Sequence, residues 1–289
     1  MSENENGRRL KGKVALITGA GGMHGVGRAI ALKFAGLGAD LVLSDIKLAP
    51  EDMHPAQVRA GWRGLDSVVE EVRKAGARAE GIYANLGQKA EIERLVREAA
   101  ATYGHIDILV NNARALMGRD RVPVTELDED VWQHFLSINL TAPFLMIKYV
   151  AKQMIRQGKG GRIINIGSDT SKRATSMGAA YGSSKQGLLG LTQAAALDLA
   201  PYGITVNTPC PGNINTDRLS YWERAQAESK GVALEEFRAT VVAAGAAATP
   251  LGRIAEPEDV ANMVAFLASP EACFITGQAF NVNGGLFFH

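Results

Sequence analysis

The chain has 289 residues, of which 46% are apolar and 21% are charged, and its formal net charge at pH 7 is +1. A chain of this length and apolar content can bury a substantial core. Its nearly balanced charge provides no global attraction to nucleic acid or to an anionic membrane, so we expect neither as a partner.

The two cysteines, Cys210 and Cys273, are too few for a disulfide framework. Neither has the Cys or His neighbours of a zinc motif, so we predict no metal site. Residues 1–13 lack the apolar stretch of a secretion signal, and no apolar run reaches the ~18–20 residues that span a bilayer. We therefore expect a cytoplasmic protein.

The predicted secondary-structure elements follow a short mobile tail at residues 1–12. Continuously apolar segments predict buried strands at residues 14–17, 41–45, 79–84, 106–110, 162–166, 204–208 and 278–282. Amphipathic periodicity predicts helices at residues 27–37, 65–75, 89–103, 129–156, 180–200 and 256–268. We expect the longest helix to be kinked at Pro143, because proline cannot donate the intrahelical hydrogen bond.

Strands that are apolar throughout and alternate with amphipathic helices predict a parallel sheet with helices on both faces. Right-handed crossovers then give a seven-stranded, doubly wound α/β fold. No linker composition interrupts the pattern, so we expect residues 13–289 to form a single domain. Two segments are longer than simple turns: residues 47–63, predicted as an extended loop, and residues 216–249, predicted as a substrate lid after the sixth strand.

The first strand leads into a glycine-rich segment between Thr18 and Gly27. A strand that feeds a glycine turn at the start of a helix forms an anion site, because backbone amides and the helix dipole face the ligand. Asp45 ends the next strand, close to the ~20-residue spacing of a carboxylate that holds the ribose hydroxyls of a dinucleotide. The pattern is typical of a Rossmann-type domain and favours NAD over NADP, since a carboxylate repels a 2′-phosphate. Two alternatives stay open: Asp45 is a simple turn cap, or the domain binds NADP with the help of Arg28 or Lys47.

Tyr181 and Lys185 lie one helical turn apart on one face of the predicted helix at residues 180–200. A free tyrosine has a pKa of ~10, too high for a general base near neutral pH, and a neighbouring cation favours the phenolate by roughly 1–3 pKa units. The pair alone is a common chance match on a helix surface. Ser168 makes it more specific, because this hydroxyl follows the fifth strand directly, at the carboxyl end where ligands bind.

Together these segments resemble the short-chain dehydrogenase/reductase family over residues 10–287. The motifs that carry the resemblance are the glycine loop Thr18–Gly27, Asn111-Asn112-Ala113, Asn139, Ser168, Tyr181 with Lys185, and Pro211-Gly212.

The resemblance implies a role for each matching residue. Tyr181 is implied as the acid/base, and Lys185 as the cation that favours the phenolate and binds the nicotinamide ribose. Ser168 is implied to orient the substrate oxygen, and Asn139 to hold a water that relays protons to Lys185. The implied cofactor-binding residues are Gly19, His24, Gly25, Val26, Gly27, Asp45, Asn85, Leu86, Asn112, Ala113, Tyr181, Lys185, Pro211, Gly212, Ile214 and Thr216.

The glycine loop departs from the family pattern in its length. The segment Ala20–His24 separates Gly19 from Gly25 and is two residues longer than the usual family spacing. Two interpretations of His24 follow: contact with the pyrophosphate or the substrate, or a loop histidine that faces solvent.

Three side chains also differ from the family pattern. Arg114 stands where the family has glycine after Asn-Asn-Ala, and we hypothesise that it contacts a cofactor phosphate or an acidic substrate. The alternative is that Arg114 points to solvent or pairs with a structural carboxylate. Asn85 and Asn283 replace common aspartates, and their amide oxygens preserve hydrogen bonding.

The combined interpretation is an NAD-dependent oxidoreductase that transfers hydride between NAD(H) and a secondary alcohol or ketone. Two alternatives stay open: an NADPH-dependent reductase of ketones or 3-oxoacyl thioesters, and a non-catalytic dinucleotide-sensing protein. The predicted lid mixes apolar and charged residues: Arg218, Leu219, Tyr221, Trp222, Arg224 and Lys230. This mixture suits a substrate with an apolar or cyclic skeleton, but it does not distinguish a steroid from a sugar or a xenobiotic. The resemblance further implies a homotetramer built on the helices near 130–156 and 180–200.

Overall fold

The fold is built on one seven-stranded parallel sheet with the strand order β3-β2-β1-β4-β5-β6-β7. The computed structural model describes residues 8–49, 53, 55–116, 119–217 and 221–288. The strands are β1 (Val14–Thr18), β2 (Asp40–Asp45), β3 (Ala79–Tyr83), β4 (Ile108–Asn111), β5 (Gly161–Asn165), β6 (Ile204–Pro211) and β7 (Ala279–Val282). This sheet confirms the predicted doubly wound α/β fold.

Helices cover both faces of the sheet. They are α1 (Val26–Gly36), α2 (Pro55–Arg59), α3 (Leu65–Lys74), α4 (Lys89–Tyr103), α5 (Glu129–Leu136), α6 (Ala142–Gln157), α7 (Ala179–Leu199), α8 (Tyr221–Lys230), α9 (Leu234–Ala248) and α10 (Pro257–Ala268). Helices α1, α3 and α10 pack on one face, and α4, α6 and α7 pack on the other. The central strands are apolar throughout because both of their faces are buried.

The strand order reverses between β1 and β4. The chain passes outward from β1 through β2 to β3, then returns and continues from β4 to β7 on the other side. Connections after the carboxyl ends of β1 and β4 therefore lead away from each other, and a crevice forms there in which ligands bind in such sheets. The glycine loop after β1 and the segment 112–116 after β4 border this crevice.

The predicted mobile tail at residues 1–12 is too long at its carboxyl end. Leu10 is only 1% exposed and belongs to the core beneath α1, and its N–H donates to the Leu37 carbonyl at 3.0 Å. An apolar side chain buried beside an ordered helix end fixes this part of the segment. Residues 1–7 lie outside the described residues.

The helix predicted at 129–156 with a kink at Pro143 runs from Glu129 to Gln157 and is interrupted by an irregular turn just before this proline. A π-helical turn, Ser137–Thr141, separates α5 from α6. Pro143 lies in the first turn of α6, where its missing N–H costs little, and its ring is incompatible with a regular bond to the carbonyl of Asn139 four residues earlier. The disruption caused by Pro143 thus falls on the preceding turn, which widens and carries Asn139.

Both long connections contain helices that the sequence pattern did not predict. The extended loop at residues 47–63 includes α2, and the segment 216–249 forms α8 and α9. Helix α9 ends in an alanine-rich stretch with high helix propensity but little apolar periodicity, which explains why the pattern missed it. The predicted lid residues Arg218 and Leu219 lie outside the described residues.

None of the helices in the described part of the chain is long and apolar enough to cross a membrane.

Candidate active site

Two glycines permit close backbone contacts where β1 ends. Gly19 has a φ of +68°, and a Cβ at this position would lie 2.7 Å from the Cα of Ala113. A Cβ on Gly27 would lie 2.4 Å from the Gly19 carbonyl oxygen. These positions require glycine because α1 starts in direct contact with the backbone of the loop.

Replacing Gly27 with alanine is expected to destabilise the protein by about 1–3 kcal/mol, because the added methyl group overlaps backbone atoms. The free energy of unfolding, measured by urea titration, checks this. Gly36→Ala is the matched control, since Gly36 ends the same helix and a Cβ there meets nothing within 4 Å. We expect this control to be neutral or slightly stabilising. Equal unfolding free energies for the two variants would contradict this account of the loop.

Asn112 and Ala113 hold the glycine loop against β4. The Asn112 Nδ2 donates to the carbonyls of Thr18 and Gly19 at 2.9 and 2.8 Å. The backbone N–H groups of Asn112 and Ala113 donate to the Thr18 hydroxyl at 3.1 and 3.2 Å. The motif therefore fixes the loop backbone, and of the two residues only Asn112 lines the cavity.

Asp45 connects the end of β2 to the same loop. Its Oδ2 accepts the Gly21 N–H at 2.7 Å, and its Oδ1 accepts the Ile46 N–H at 2.8 Å. The indole Nε1 of Trp62 donates to the Gly21 carbonyl at 2.8 Å. Asp45 and Trp62 both line the cavity, so the loop, the end of β2 and the segment 47–63 form one end of it.

Tyr181, Lys185 and Ser168 meet at the other end of the cavity. Lys185 is 3% exposed, and its Nζ donates to the Ile166 carbonyl at 2.7 Å and lies 6.0 Å from the centre of the Tyr181 ring. Ser168 Oγ accepts the Thr170 N–H at 3.3 Å and donates to Asp169 Oδ1 at 3.0 Å. The backbone carbonyl of Ile166 thus holds the ammonium group of Lys185 near the phenol.

Asn139 connects this group to the segment after β4. It is buried in the π-helical turn, where its Oδ1 accepts the Ala115 N–H at 2.8 Å and its Nδ2 donates to Ser184 Oγ at 3.0 Å. Ser184 Oγ in turn donates to the Tyr181 carbonyl at 2.8 Å. Asn139 does not line the cavity, and its side chain positions the start of α7 and the backbone beside Arg114.

A buried polar network that the sequence reasoning missed lies beneath the site. Asn111 Nδ2 donates to Asn165 Oδ1 at 2.8 Å, and Asn165 Nδ2 donates to Thr192 Oγ1 at 2.9 Å. Thr192 Oγ1 also lies 2.8 Å from Thr208 Oγ1. The network joins β4, β5, β6 and α7, and the only sequence signal for it was asparagine at the ends of otherwise apolar strands. Fully paired buried networks of this kind fix the relative positions of the elements they join.

The cavity has a volume of about 990 Å³, at the upper end of the range for ligand sites. Its lining includes most of the predicted site residues: Gly19, Gly25, Val26, Asp45, Asn112, Ser168, Tyr181, Lys185, Pro211, Gly212, Ile214 and Thr216. The predicted site residues that do not line it are His24, Gly27, Asn85, Leu86, Ala113 and Asn139.

His24 and Asn85 make contacts within the protein. His24 Nε2 lies 3.3 Å from Glu256 Oε2, so the lengthened glycine loop contacts the start of α10. Asn85 Oδ1 accepts the Gly87 N–H at 2.9 Å in a turn after β3. Both contacts account for the side chains without a ligand.

Charged residues that the sequence reasoning did not single out surround Arg114. Arg121 and Asp120 line the same cavity, and helices α8 and α9 contribute Glu223 and Arg238, whose Oε2 and Nη1 are 3.5 Å apart. Burial lowers the pKa of the Arg114 guanidinium, and interactions with Tyr181 and then with Asp120 partly offset this lowering. Burial also raises the pKa of the Glu223 carboxyl, which Arg238, Arg114 and Arg121 counteract.

No group of three or more His, Cys, Asp or Glu side chains within the described ranges could hold a metal ion.

Comparison with known proteins finds relatives that match nearly the whole chain. Residues 19–287 match the family model described as enoyl-(acyl carrier protein) reductase. A short-chain dehydrogenase/reductase of Armillaria gallica is 39% identical over 96% of this chain and 97% of its own length. Galactitol 2-dehydrogenase of Agrobacterium fabrum is 33% identical, and 3-oxoacyl-[acyl-carrier-protein] reductase FabG of Vibrio cholerae is 34% identical, each over 96% of this chain and 98% of the relative.

The same similarity appears among solved structures. A double mutant of a Serratia marcescens short-chain dehydrogenase/reductase superposes with a TM-score of 0.76 at 30% identity, covering 96% of this chain and 99% of that one.

Proposed function

The chain belongs to the short-chain dehydrogenase/reductase family of oxidoreductases, and from this premise we propose that it is an NAD-dependent dehydrogenase of secondary alcohols. The observation that carries the proposal is one continuous cavity with Asp45 and the glycine loop at one end and Ser168, Tyr181 and Lys185 at the other. A dinucleotide fits this arrangement, because glycines leave backbone without side chains along the wall where a pyrophosphate approaches.

The proposed chemistry assigns one task to each polar group. In alcohol oxidation, the Ser168 hydroxyl turns from Asp169 Oδ1 to donate its hydrogen bond to the substrate oxygen, and the Tyr181 phenolate accepts the hydroxyl proton of the alcohol. Lys185 would hold the nicotinamide ribose beside the phenol, while Asn139 holds Ala115 and the start of α7 in place. When bound, NAD supplies the carbon that accepts the hydride released by the carbinol C–H. Ketone reduction follows the same steps in reverse.

Asp45 supports NAD as the cofactor. The carboxylate lines the cavity beside the glycine loop, where its charge repels a 2′-phosphate and its oxygens suit ribose hydroxyls. Lys47 and Arg63 line the same end of the cavity, so two cations are available to bind the 2′-phosphate of NADP. The choice between NAD and NADP is therefore tested directly.

Asp45→Asn is expected to lower the ratio of kcat/KM for NAD to kcat/KM for NADP by about 10-fold or more, because a like-charge repulsion of ~1–4 kcal/mol is removed. The asparagine oxygen still accepts the Gly21 N–H, so the loop keeps its anchor. Asp198→Asn, an exposed substitution outside the cavity, is the control and leaves the ratio unchanged. An unchanged ratio in the Asp45 variant would remove this residue from cofactor selection.

The function itself is tested by initial rates with NAD and NADP across a panel of secondary alcohols, read as formation of the reduced cofactor. We expect turnover, with the higher kcat/KM for NAD. A higher kcat/KM for NADP would favour the ketone or oxoacyl thioester reductase, and no turnover with either cofactor would favour the dinucleotide sensor.

The proposal includes a homotetramer, because two helices on one face of the sheet carry exposed apolar side chains. Phe144 on α6 is 45% exposed, and Leu197 on α7 is 79% exposed. Sedimentation analysis of the purified chain measures the assembly directly.

A further inference from the structure

The end of the cavity that contains Tyr181 is bordered by a cluster of charged side chains from three segments. Arg114, Asp120 and Arg121 come from the chain after β4, Glu223 from α8, and Arg238 from α9. We call these five residues the arginine cluster. Arg238 also donates to the Thr216 carbonyl, which anchors this side chain to the base of the lid.

The arginine cluster contains three guanidinium groups and two carboxylates, which is a net charge of +1. Glu223 interacts electrostatically with all three arginines, and Asp120 is only 1% exposed. Charges removed from water are stabilised by opposite charges, so a partly buried cluster with one excess positive charge favours a bound anion.

Arg114 lines the same cavity as Tyr181, and Tyr181 is the strongest of its favourable electrostatic neighbours. The adjacent backbone is rigid, since the Ala115 N–H donates to Asn139 Oδ1. Among the described residues, Met177 is the one non-glycine residue with a positive φ, so φ at Arg114 is negative. The backbone there does not require glycine, and an arginine is accommodated without strain.

We propose that the substrate is a hydroxy acid whose carboxylate binds Arg114 and Arg121 while its carbinol faces Ser168 and Tyr181. Guanidinium groups pair with carboxylates through two parallel hydrogen bonds, which fixes the orientation of the substrate as well as its affinity. This inference rests on the proposed dehydrogenase function and names its substrate class.

The test compares aliphatic hydroxy acids of increasing chain length with the corresponding hydroxy amides, which have nearly the same shape and no charge. For the wild type with NAD, we expect kcat/KM for the best acid to exceed that for its amide by about 10- to 100-fold. Arg114→Gln abolishes this preference through a higher KM for the acid, whereas Arg114→Lys retains part of it. Arg97→Gln, an exposed substitution on α4 outside the cavity, keeps the full preference.

A binding measurement separates this inference from the proposed function. Calorimetric titration of the protein with NAD present compares the affinities of the acid and the amide without requiring turnover. Tighter binding of the acid that is lost in Arg114→Gln supports the anion site even if no reduced cofactor forms, a result that would overturn the dehydrogenase. Turnover of neutral alcohols with no preference for acids, or a preference that survives in Arg114→Gln, overturns the anion site alone.

Discussion

Replacing Tyr181 with phenylalanine is expected to lower kcat by roughly 10²- to 10⁴-fold, the usual contribution of a positioned acid/base group. The substitution removes only the hydroxyl, and the ring keeps its edge-on contact with Phe135, whose centre lies 6.4 Å away. The melting temperature therefore changes little, and KM for NAD stays close to that of the wild type. Steady-state rates of alcohol oxidation measure the effect.

Tyr202 provides a matched control for that substitution. It is 51% exposed in a 3₁₀ turn after α7 and does not line the cavity, so Tyr202→Phe is expected to keep the wild-type kcat. If Tyr181→Phe kept kcat within a few-fold of the wild type, the proton-transfer role of Tyr181 would be untenable.

Replacing Lys185 with methionine is expected to lower kcat/KM for alcohol oxidation by about 10- to 1000-fold, because the variant lacks a positioned cation at the reacting end of the cavity. The Lys185 ammonium lies 6.0 Å from the centre of the Tyr181 ring, and the Ile166 carbonyl holds it there. Steady-state rates across a range of alcohol concentrations measure the effect.

The substitution also removes the hydrogen bond from Lys185 to the Ile166 carbonyl, which costs about 1–3 kcal/mol if that oxygen is left without a donor. Lys172→Met controls for this structural effect, since Lys172 Nζ donates to the Ala279 carbonyl at 2.8 Å away from the cavity. We expect Lys172→Met to lose stability while kcat/KM stays close to that of the wild type. A kcat/KM for Lys185→Met within a few-fold of the wild type would exclude a role of Lys185 in the reaction.

The sheet and the reactive end of the cavity follow from local sequence patterns. Each central strand is a short apolar run because it is buried on both faces, and the order of strands and helices leaves few allowed topologies. Ser168 was predictable because it follows a strand directly, and Tyr181 with Lys185 because a helix brings residues four apart onto one face. These features depend on neighbours in the sequence, so the sequence alone contains the signal.

The remaining features depend on contacts between distant segments. Gln57 donates to Asp217 Oδ2 at 2.7 Å, which joins the segment 47–63 to the start of the lid, and neither residue belongs to a motif. Glu223 and Arg238 meet Arg114 only after two helices have packed over the cavity. The disruption of the long helix is the local exception: Pro143 predicted it, but apolar periodicity does not encode its form as a π-helical turn at Asn139. Arg114 was visible as a departure from the family pattern, but its carboxylate neighbours were not.

The most direct test of the central claim follows the hydride itself. A secondary alcohol that is deuterated at its carbinol carbon is incubated with NAD and the protein, and the resulting NADH is analysed by mass spectrometry. We expect NADH that carries one deuterium from the alcohol, formed by the wild type and strongly diminished in Tyr181→Phe. NADH without the label, or no NADH from any alcohol of the panel, would contradict this expectation.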